Sequence, residues 1–144
     1  MYTSKVNIRV RYGETDRMGY VYYGNYAEYF EVARVEAMRE LGISYKELED
    51  SGILLPVYSY SIVFLKPAYY DDELTIKTTI NKLPLARIEF YYETFNQTGE
   101  VINKANTSLV FIDKSTGKPC RAPEFFIEKI KTCLDSIDKQ EYPK

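Results

Sequence analysis

The chain has 144 residues, of which 28% are charged and 45% hydrophobic, with a formal net charge of -2 and an isoelectric point near 5.3. That is the profile of a single ordinary globular domain, residues 1–144, long enough to bury its own core. With no block of basic residues and no histidine at all, it argues against nucleic-acid or anionic-membrane partners and excludes Ser-His and Cys-His catalysis, and no metal site is expected.

The stretch Met1 to Ile8 has no apolar run behind a basic start, so no signal peptide is expected there. The longest apolar-rich stretch, Leu54 to Leu65, is broken by Ser59 and Ser61 and is too short for a membrane-spanning helix. Cys120 and Cys133 have no second pair to form a metal set. They read as free thiols, and a cytoplasmic protein is expected. The fifteen tyrosines join an apolar ring to a polar tip, which suits half-wet pockets and subunit interfaces.

In chain order, Val6, Ile8, Val10 and Tyr12 alternate with Asn7, Arg9 and Arg11, predicting a half-buried strand. Gly13 to Val21 is polar and reads as a loop, in which Gly19 supplies a positive φ, Thr15 braces the turn and Glu14 faces solvent. From about Tyr23 to Leu41 the period becomes helical. Tyr26, Tyr29, Phe30, Ala33, Ala37 and Leu41 share one arc, Asn25 or a neighbour caps the start, and Gly42 ends the helix. Glu31 and Arg34 stand three apart and predict a local ion pair.

Ser44 to Ser51 reads as a short second helix closed by Gly52. Strands follow over Ile53–Leu65, bent near Pro56, then Leu74–Ile80, the alternating Ile88, Phe90 and Tyr92, and Val101–Ile112. Between them, Asp71 and Asp72 are expected to bond to the local backbone, and Asn96 to Gly99 makes a hairpin turn. Pro123 opens a final helix with Phe126, Ile130, Cys133, Leu134 and Ile137 as its apolar stripe. Short turns between the late strands make that part of the sheet antiparallel, and the long helix must bury its arc against it, so the class is α+β.

The stretch from Arg11 to Tyr26, RYGETDRMGYVYYGNY, resembles the signature of hot-dog-fold acyl-CoA thioesterases of the 4-hydroxybenzoyl-CoA thioesterase type. Tyr29 to Arg34 is similar to the family's central helix. Leu55-Pro56-Val57, with Phe64, Pro67, Ala68 and the run Tyr70 to Leu74, is similar to its second block. The likeness spans roughly residues 5 to 113. It implies the hot-dog fold, an antiparallel sheet of about five strands wrapped around one long central helix, in subunits that pair edge to edge as a homodimer or homotetramer.

The resemblance also implies chemistry. Its loop aspartate falls on Asp16, which serves as nucleophile or as base for water. The backbone N–H groups of Tyr23 and Gly24, at the helix start, polarise the thioester carbonyl. Some relatives have histidine where this chain has Tyr23. The acyl group is assigned to Tyr22, Asn25, Tyr26, Tyr58, Ser59 and Tyr60. The coenzyme A phosphates are assigned to Lys66, Lys82 and Arg87, although no spacing rule selects those three. The small-molecule partner is an acyl-CoA taken as substrate, and no cofactor is required.

Plainer readings stand beside these. Asp16 is also a natural turn residue, Asn25 a natural cap or loop bridge, and most of the tyrosines natural packing residues. An acyl-carrier-protein thioesterase would share the chemistry and differ in the partner it docks. A non-catalytic acyl-CoA-binding module is the non-enzymatic alternative. A hot-dog dehydratase would rely on histidine, which this chain lacks.

Overall fold

The computed structural model describes residues 1–141, with side chains described through Leu134. Five antiparallel strands form the main sheet, ordered in space β1 (Tyr2–Arg9), β4 (Glu73–Ile80), β5 (Arg87–Phe95), β6 (Val101–Val110) and β3 (Val57–Phe64). The alternation predicted for the middle strands is realised. Leu74, Ile76 and Ile80 of β4 and Ile88, Phe90 and Tyr92 of β5 are buried on one face, while their neighbours in sequence point away.

The long helix α1 (Asn25–Glu40) lies across that face, against β1 and β4. Its predicted arc is the buried one, from Tyr26 through Phe30 and Ala33 to Leu41. Phe30 stacks on Tyr92 of β5 with ring centroids 4.5 Å apart and meets Tyr60 of β3 edge-on at 6.1 Å. At the far end Tyr2 donates to Glu40 at 2.6 Å. One helix therefore touches strands from both edges of the sheet, the wrapped arrangement of the hot-dog fold. A short helix, α2 (Tyr45–Asp50), follows, capped by Ser44, whose hydroxyl accepts from Glu47 N–H at 3.0 Å.

Several elements depart from the expected boundaries. The first strand starts and ends earlier than predicted, and Tyr12 sits in a 3₁₀ turn with its ring 78% exposed. Val10 exchanges backbone bonds with Asp71 and Asp72, which ends the ladder there. Pro56 splits the next strand, leaving β2 (Ile53–Leu54) in a separate small sheet with β7 (Ile112–Asp113) and β8 (Lys118–Pro119). The long strand predicted to Ile112 breaks at Phe111. Its N–H turns to Ala86 and its ring packs edge-on against Phe126 of α3 (Glu124–Glu141), 5.1 Å away. Phe126, Ile130 and Leu134 are buried as expected, and the side chain of Ile137 lies outside the described residues.

Two charged residues overturn their predicted settings. Glu14, expected in solvent, is only 9% exposed. Arg34, expected to pair with Glu31, turns inward beside Met38 on the buried arc and approaches the hydroxyls of Tyr92 and Tyr45 instead. The reason is positional: residue 34 is one helical turn beyond Phe30, on the face that the sheet covers. Asp72 does bond locally, accepting from Tyr69 N–H at 2.9 Å, whereas the Asp71 carboxylate lies 3.6 Å from Arg9.

The two edges of the main sheet differ. The β1 edge presents Thr3, Lys5, Asn7 and Arg9, which discourage further pairing. The β3 edge presents Val57, Tyr58, Tyr60, Val63 and Phe64, all exposed.

Because Phe30 joins α1 to β5 and β3 at once, Phe30→Ala is expected to lower stability by about 3–5 kcal/mol. Urea unfolding followed by far-ultraviolet circular dichroism measures this, and a change below about 1 kcal/mol would show that the helix is not anchored there.

Candidate active site

The site begins in the loop that follows β1. Arg11 to Glu14 make a capping turn in which Glu14 Oε1 accepts from Arg11 N–H at 2.7 Å. The same oxygen accepts from the Tyr29 hydroxyl of α1 at 2.9 Å, and Oε2 lies 3.3 Å from the Arg11 guanidinium. The Glu14 carbonyl accepts from Asn25 Nδ2 at 2.7 Å and from Tyr22 N–H at 2.9 Å. One residue thus fastens the loop to the helix at two points, through Tyr29 and Asn25, and closes the loop on itself through Arg11 and Tyr22. Burial pushes the Glu14 carboxyl up, but the Arg11 N–H, the Tyr29 hydroxyl and the Arg11 guanidinium outweigh it and hold the group below the usual glutamate range.

Beyond this anchor the chain reverses around Asp16. Thr15 Oγ1 donates back to the Tyr12 carbonyl at 2.7 Å, bracing the loop as expected. Asp16 N–H donates to Tyr20 O at 2.8 Å, and Gly19 takes φ +84 as the turn requires. Oδ1 of Asp16 accepts from Met18 N–H at 2.9 Å and Tyr20 N–H at 3.4 Å. Oδ2 accepts no hydrogen bond from the described residues. Asp16 is therefore a turn residue with half its carboxylate still uncommitted.

Asp16 forms one wall of a pocket of about 370 Å³, whose other walls include Tyr20, Tyr23, Tyr26, Phe64 and Lys66. The pocket opens at the N-terminus of α1. Tyr22 and Tyr23 carbonyls accept from the N–H groups of Asn25 and Tyr26, but no acceptor among the described residues meets the N–H of Tyr23 or Gly24. These two donors, reinforced by the helix dipole, favour negative charge beside the pocket. Gly24 caps the helix without a side-chain bond. A Cβ there would stand 2.7 Å from the Tyr22 ring, which would have to swing aside to admit it. Burial pushes the Tyr26 hydroxyl up to about 12, which keeps it neutral as a pocket wall.

The sequence-predicted residues divide into two groups. Asp16, Tyr23, Tyr26 and Lys66 meet in the pocket, with Gly24 at its helix end; Lys66 also pairs with Glu100. Asn25 is occupied as a loop bridge, and Tyr22 packs against Tyr23 outside the pocket, ring centroids 4.6 Å apart. Tyr58, Ser59 and Tyr60 lie along the exposed β3 edge, away from Asp16 in the same chain. Arg87 covers the Tyr58 ring at 4.3 Å and shares a separate cleft with Lys82. Tyr20 and Phe64 were missed as pocket walls, because only the tertiary path of the loop brings them to Asp16. Among the described residues no cluster of His, Cys, Asp or Glu could hold a metal ion, and no helix is long and apolar enough to cross a membrane.

Comparison with known proteins shows the family and the fold. Residues 10–130 match the model of the thioesterase-like superfamily. YneP of Bacillus subtilis, named as a candidate acyl-CoA thioesterase, is 36% identical over 126 residues, 88% of this chain and 91% of its own. The acyl-CoA thioester hydrolase YbgC of Escherichia coli O6:H1 is 28% identical over 124 residues, 86% of this chain and 92% of its own. A crystal structure of the DHNA-CoA thioesterase of Staphylococcus aureus superposes with a TM-score of 0.88 at 35% identity, covering 100% of this chain and 97% of that one. The chain belongs to the thioesterase-like superfamily and is a thioester hydrolase with the hot-dog fold.

Glu14 carries a testable consequence. Its folded-state value lies below that of the unfolded chain, ordinarily about 4.3. Its charge therefore adds stability above that pH, and the contribution is lost as pH falls through the folded value. Glu14→Gln is expected to be less stable than wild type at neutral pH, with the gap closing as pH falls below the unfolded-chain value in urea unfolding. A gap that does not change with pH would remove the charge of Glu14 from the account.

Proposed function

We propose that this acyl-CoA thioesterase hydrolyses small to medium acyl- or aroyl-CoA substrates with Asp16 as nucleophile or general base. The supporting observation is the unpartnered N–H of Tyr23, a wall of the same pocket as a carboxylate whose Oδ2 is uncommitted, with the unpartnered N–H of Gly24 next to it in the chain. The thioester carbonyl sits with its oxygen toward those N–H groups. Asp16 then attacks the carbonyl carbon directly, forming a mixed anhydride that water opens, or takes a proton from the water that attacks. In both routes charge gathers on the carbonyl oxygen and is met by donors already oriented before reaction. The C–S bond breaks and coenzyme A leaves as a thiolate, a leaving group that needs no strong general acid. That is why a chain without histidine suffices.

The aromatic walls Tyr20, Tyr23, Tyr26 and Phe64 suit a flat or short acyl group, in keeping with the Staphylococcus aureus relative that acts on DHNA-CoA. The working unit in this reading is a homodimer, or a homotetramer built from it, in which a second copy pairs with the open, apolar β3 edge. Self-pairing of an edge strand must be antiparallel about a two-fold axis. It sets the Tyr58 end of one subunit, with Arg87 above it, beside the Phe64 and Lys66 end of the other. Tyr58, Ser59, Tyr60, Lys82 and Arg87 thereby join the site in trans, the basic ones near the coenzyme A phosphates.

Asp16→Asn is expected to fold and assemble as wild type and to lose roughly 10²- to 10⁴-fold in kcat, read by thiol release from a panel of acyl- and aroyl-CoAs and acyl-carrier-protein thioesters. Near-wild-type turnover would sink the assignment, and tight acyl-CoA binding without release by the wild type would make the chain a binding module. Val63→Asp, which places a charge on the apolar β3 edge proposed to pair, is expected to sediment as an inactive monomer. An active monomer would place the whole site in one chain.

A further inference from the structure

Behind the aromatic wall of the Asp16 pocket the sheet carries polar side chains in a fully buried position. Asn103 of β6 and Thr94 of β5 are both 0% exposed and stand directly opposite each other, with Phe64 of β3 opposite Asn103 on its other side. Side chains paired in this way share one face of the sheet. Phe64 and Tyr26 line the pocket, their ring centroids 5.7 Å apart. The Tyr26 hydroxyl approaches the Asn103 amide. Inside hydrogen-bond geometry, neither the amide nor Thr94 Oγ1 has a partner among the described residues. Leucine or valine would fill these positions without that cost, so buried polar groups here call for a reason other than stability.

The reason lies in what Tyr26 belongs to. It stands in the first turn of α1, two residues after Gly24, and its N–H donates to the Tyr23 carbonyl at 3.4 Å. Ring and turn therefore move together. Toward the loop this end of the helix is fixed by directional bonds, through Asn25 and Tyr29 to Glu14. Toward the sheet it presents rings: Tyr26 meets Tyr29, Phe30 and Phe64. Apolar packing holds surfaces together without fixing direction, whereas a hydrogen bond fixes both distance and angle. The other end of α1 has such a bond, from Tyr2 of β1 to Glu40.

Resting on the site described under the proposed function, we infer that Asn103 is a positioning residue. Its amide takes the Tyr26 hydroxyl and so fixes, from the sheet side, the depth at which the first turn of α1 stands. That depth sets the Tyr23 and Gly24 N–H groups against the thioester carbonyl. A small displacement of such donors lowers the rate of the chemical step and leaves the rest of substrate binding in place.

The test compares Asn103→Leu, Tyr26→Phe and the double variant on the acyl- or aroyl-CoA that wild type turns over fastest in the panel above. Each single variant is expected to lose roughly tenfold to a hundredfold in kcat, with KM nearly unchanged. The double variant should lose no more than either single one, because both remove the same contact. In urea it should be at least as stable as wild type, since both partners have become apolar. Substrate labelled with carbon-13 at the thioester carbonyl reads the donors directly. Bound to Asp16→Asn, its infrared carbonyl stretch should fall below the free value, and Asn103→Leu added to Asp16→Asn should move it back.

Wild-type kcat in both single variants, losses that multiply in the double variant, a change confined to KM, or an unmoved carbonyl stretch would overturn the inference and make Asn103 a packing residue. Should Asn103→Leu fail to fold, Tyr26→Phe decides, because it keeps the ring and removes only the hydroxyl. Wild-type kcat there overturns the inference; a kcat loss with the carbonyl stretch moved back supports it. Near-wild-type turnover by Asp16→Asn strikes the site reading itself. An inactive Asp16→Asn beside an unaltered Asn103→Leu strikes this inference alone.

Discussion

The Glu14 carboxylate, held by the Arg11 N–H at 2.7 Å and the Tyr29 hydroxyl at 2.9 Å, ties two elements whose relative position sets the chemistry. Asp16 belongs to the loop and the N–H groups of Tyr23 and Gly24 belong to the start of the helix. Neither element fixes the other through its own ladder of hydrogen bonds. The joint at Glu14, with Asn25 closing it from the helix side at 2.7 Å, turns a flexible loop and a rigid helix into one body. Preorganised donors are effective only when the attacking group is held in register with them. In the proposed mechanism, Glu14, which touches no substrate, therefore governs the geometry of the groups that would. Charge-assisted bonds suit that task, being shorter and stronger than neutral ones.

The same economy of parts bears on the proposed assembly. The helix must bury its aromatic arc on the sheet, and Phe30 does so against Tyr92 and Tyr60. That contact brings the exposed β3 edge alongside the helix flank, so the pocket and the edge share a wall. An edge strand with apolar side chains invites another strand, while the β1 edge, carrying Lys5 and Arg9, does not. The polarity of the two edges thus marks the side on which the proposed assembly extends.

The fold was legible where a physical period repeats. Leu74 to Ile80 and Ile88 to Tyr92 alternate, and Tyr26 to Leu41 follow a helical arc, so burial followed from spacing. Boundaries were less legible, because β1 ends where Val10 bonds to Asp71 and Asp72, sixty residues away in contact but not in pattern. At the site, the resemblance pointed to Asp16, Tyr23 and Gly24, and the structure brings Asp16 and Tyr23 onto one pocket. Glu14 was misplaced because its partner Tyr29 lies a helix turn inside α1, and a lone acid in a polar loop looks solvated. Arg34 carried a usable signal: it falls on the arc of Tyr26, Phe30 and Ala37. Its charge argued for solvent and its position for burial, and position won.

That outcome separates two kinds of work along α1. The N-terminal turn supplies fixed donors for any thioester, since every substrate presents the same carbonyl and the same thiolate. The flank facing β3, with Glu28, Glu31 and Arg34, lines a separate hollow away from that turn. Substitution on that flank leaves the loop, the Glu14 joint and the helix terminus as they are. A scaffold arranged in this way keeps the proposed chemistry in the parts held most tightly and leaves selectivity to the surfaces around them.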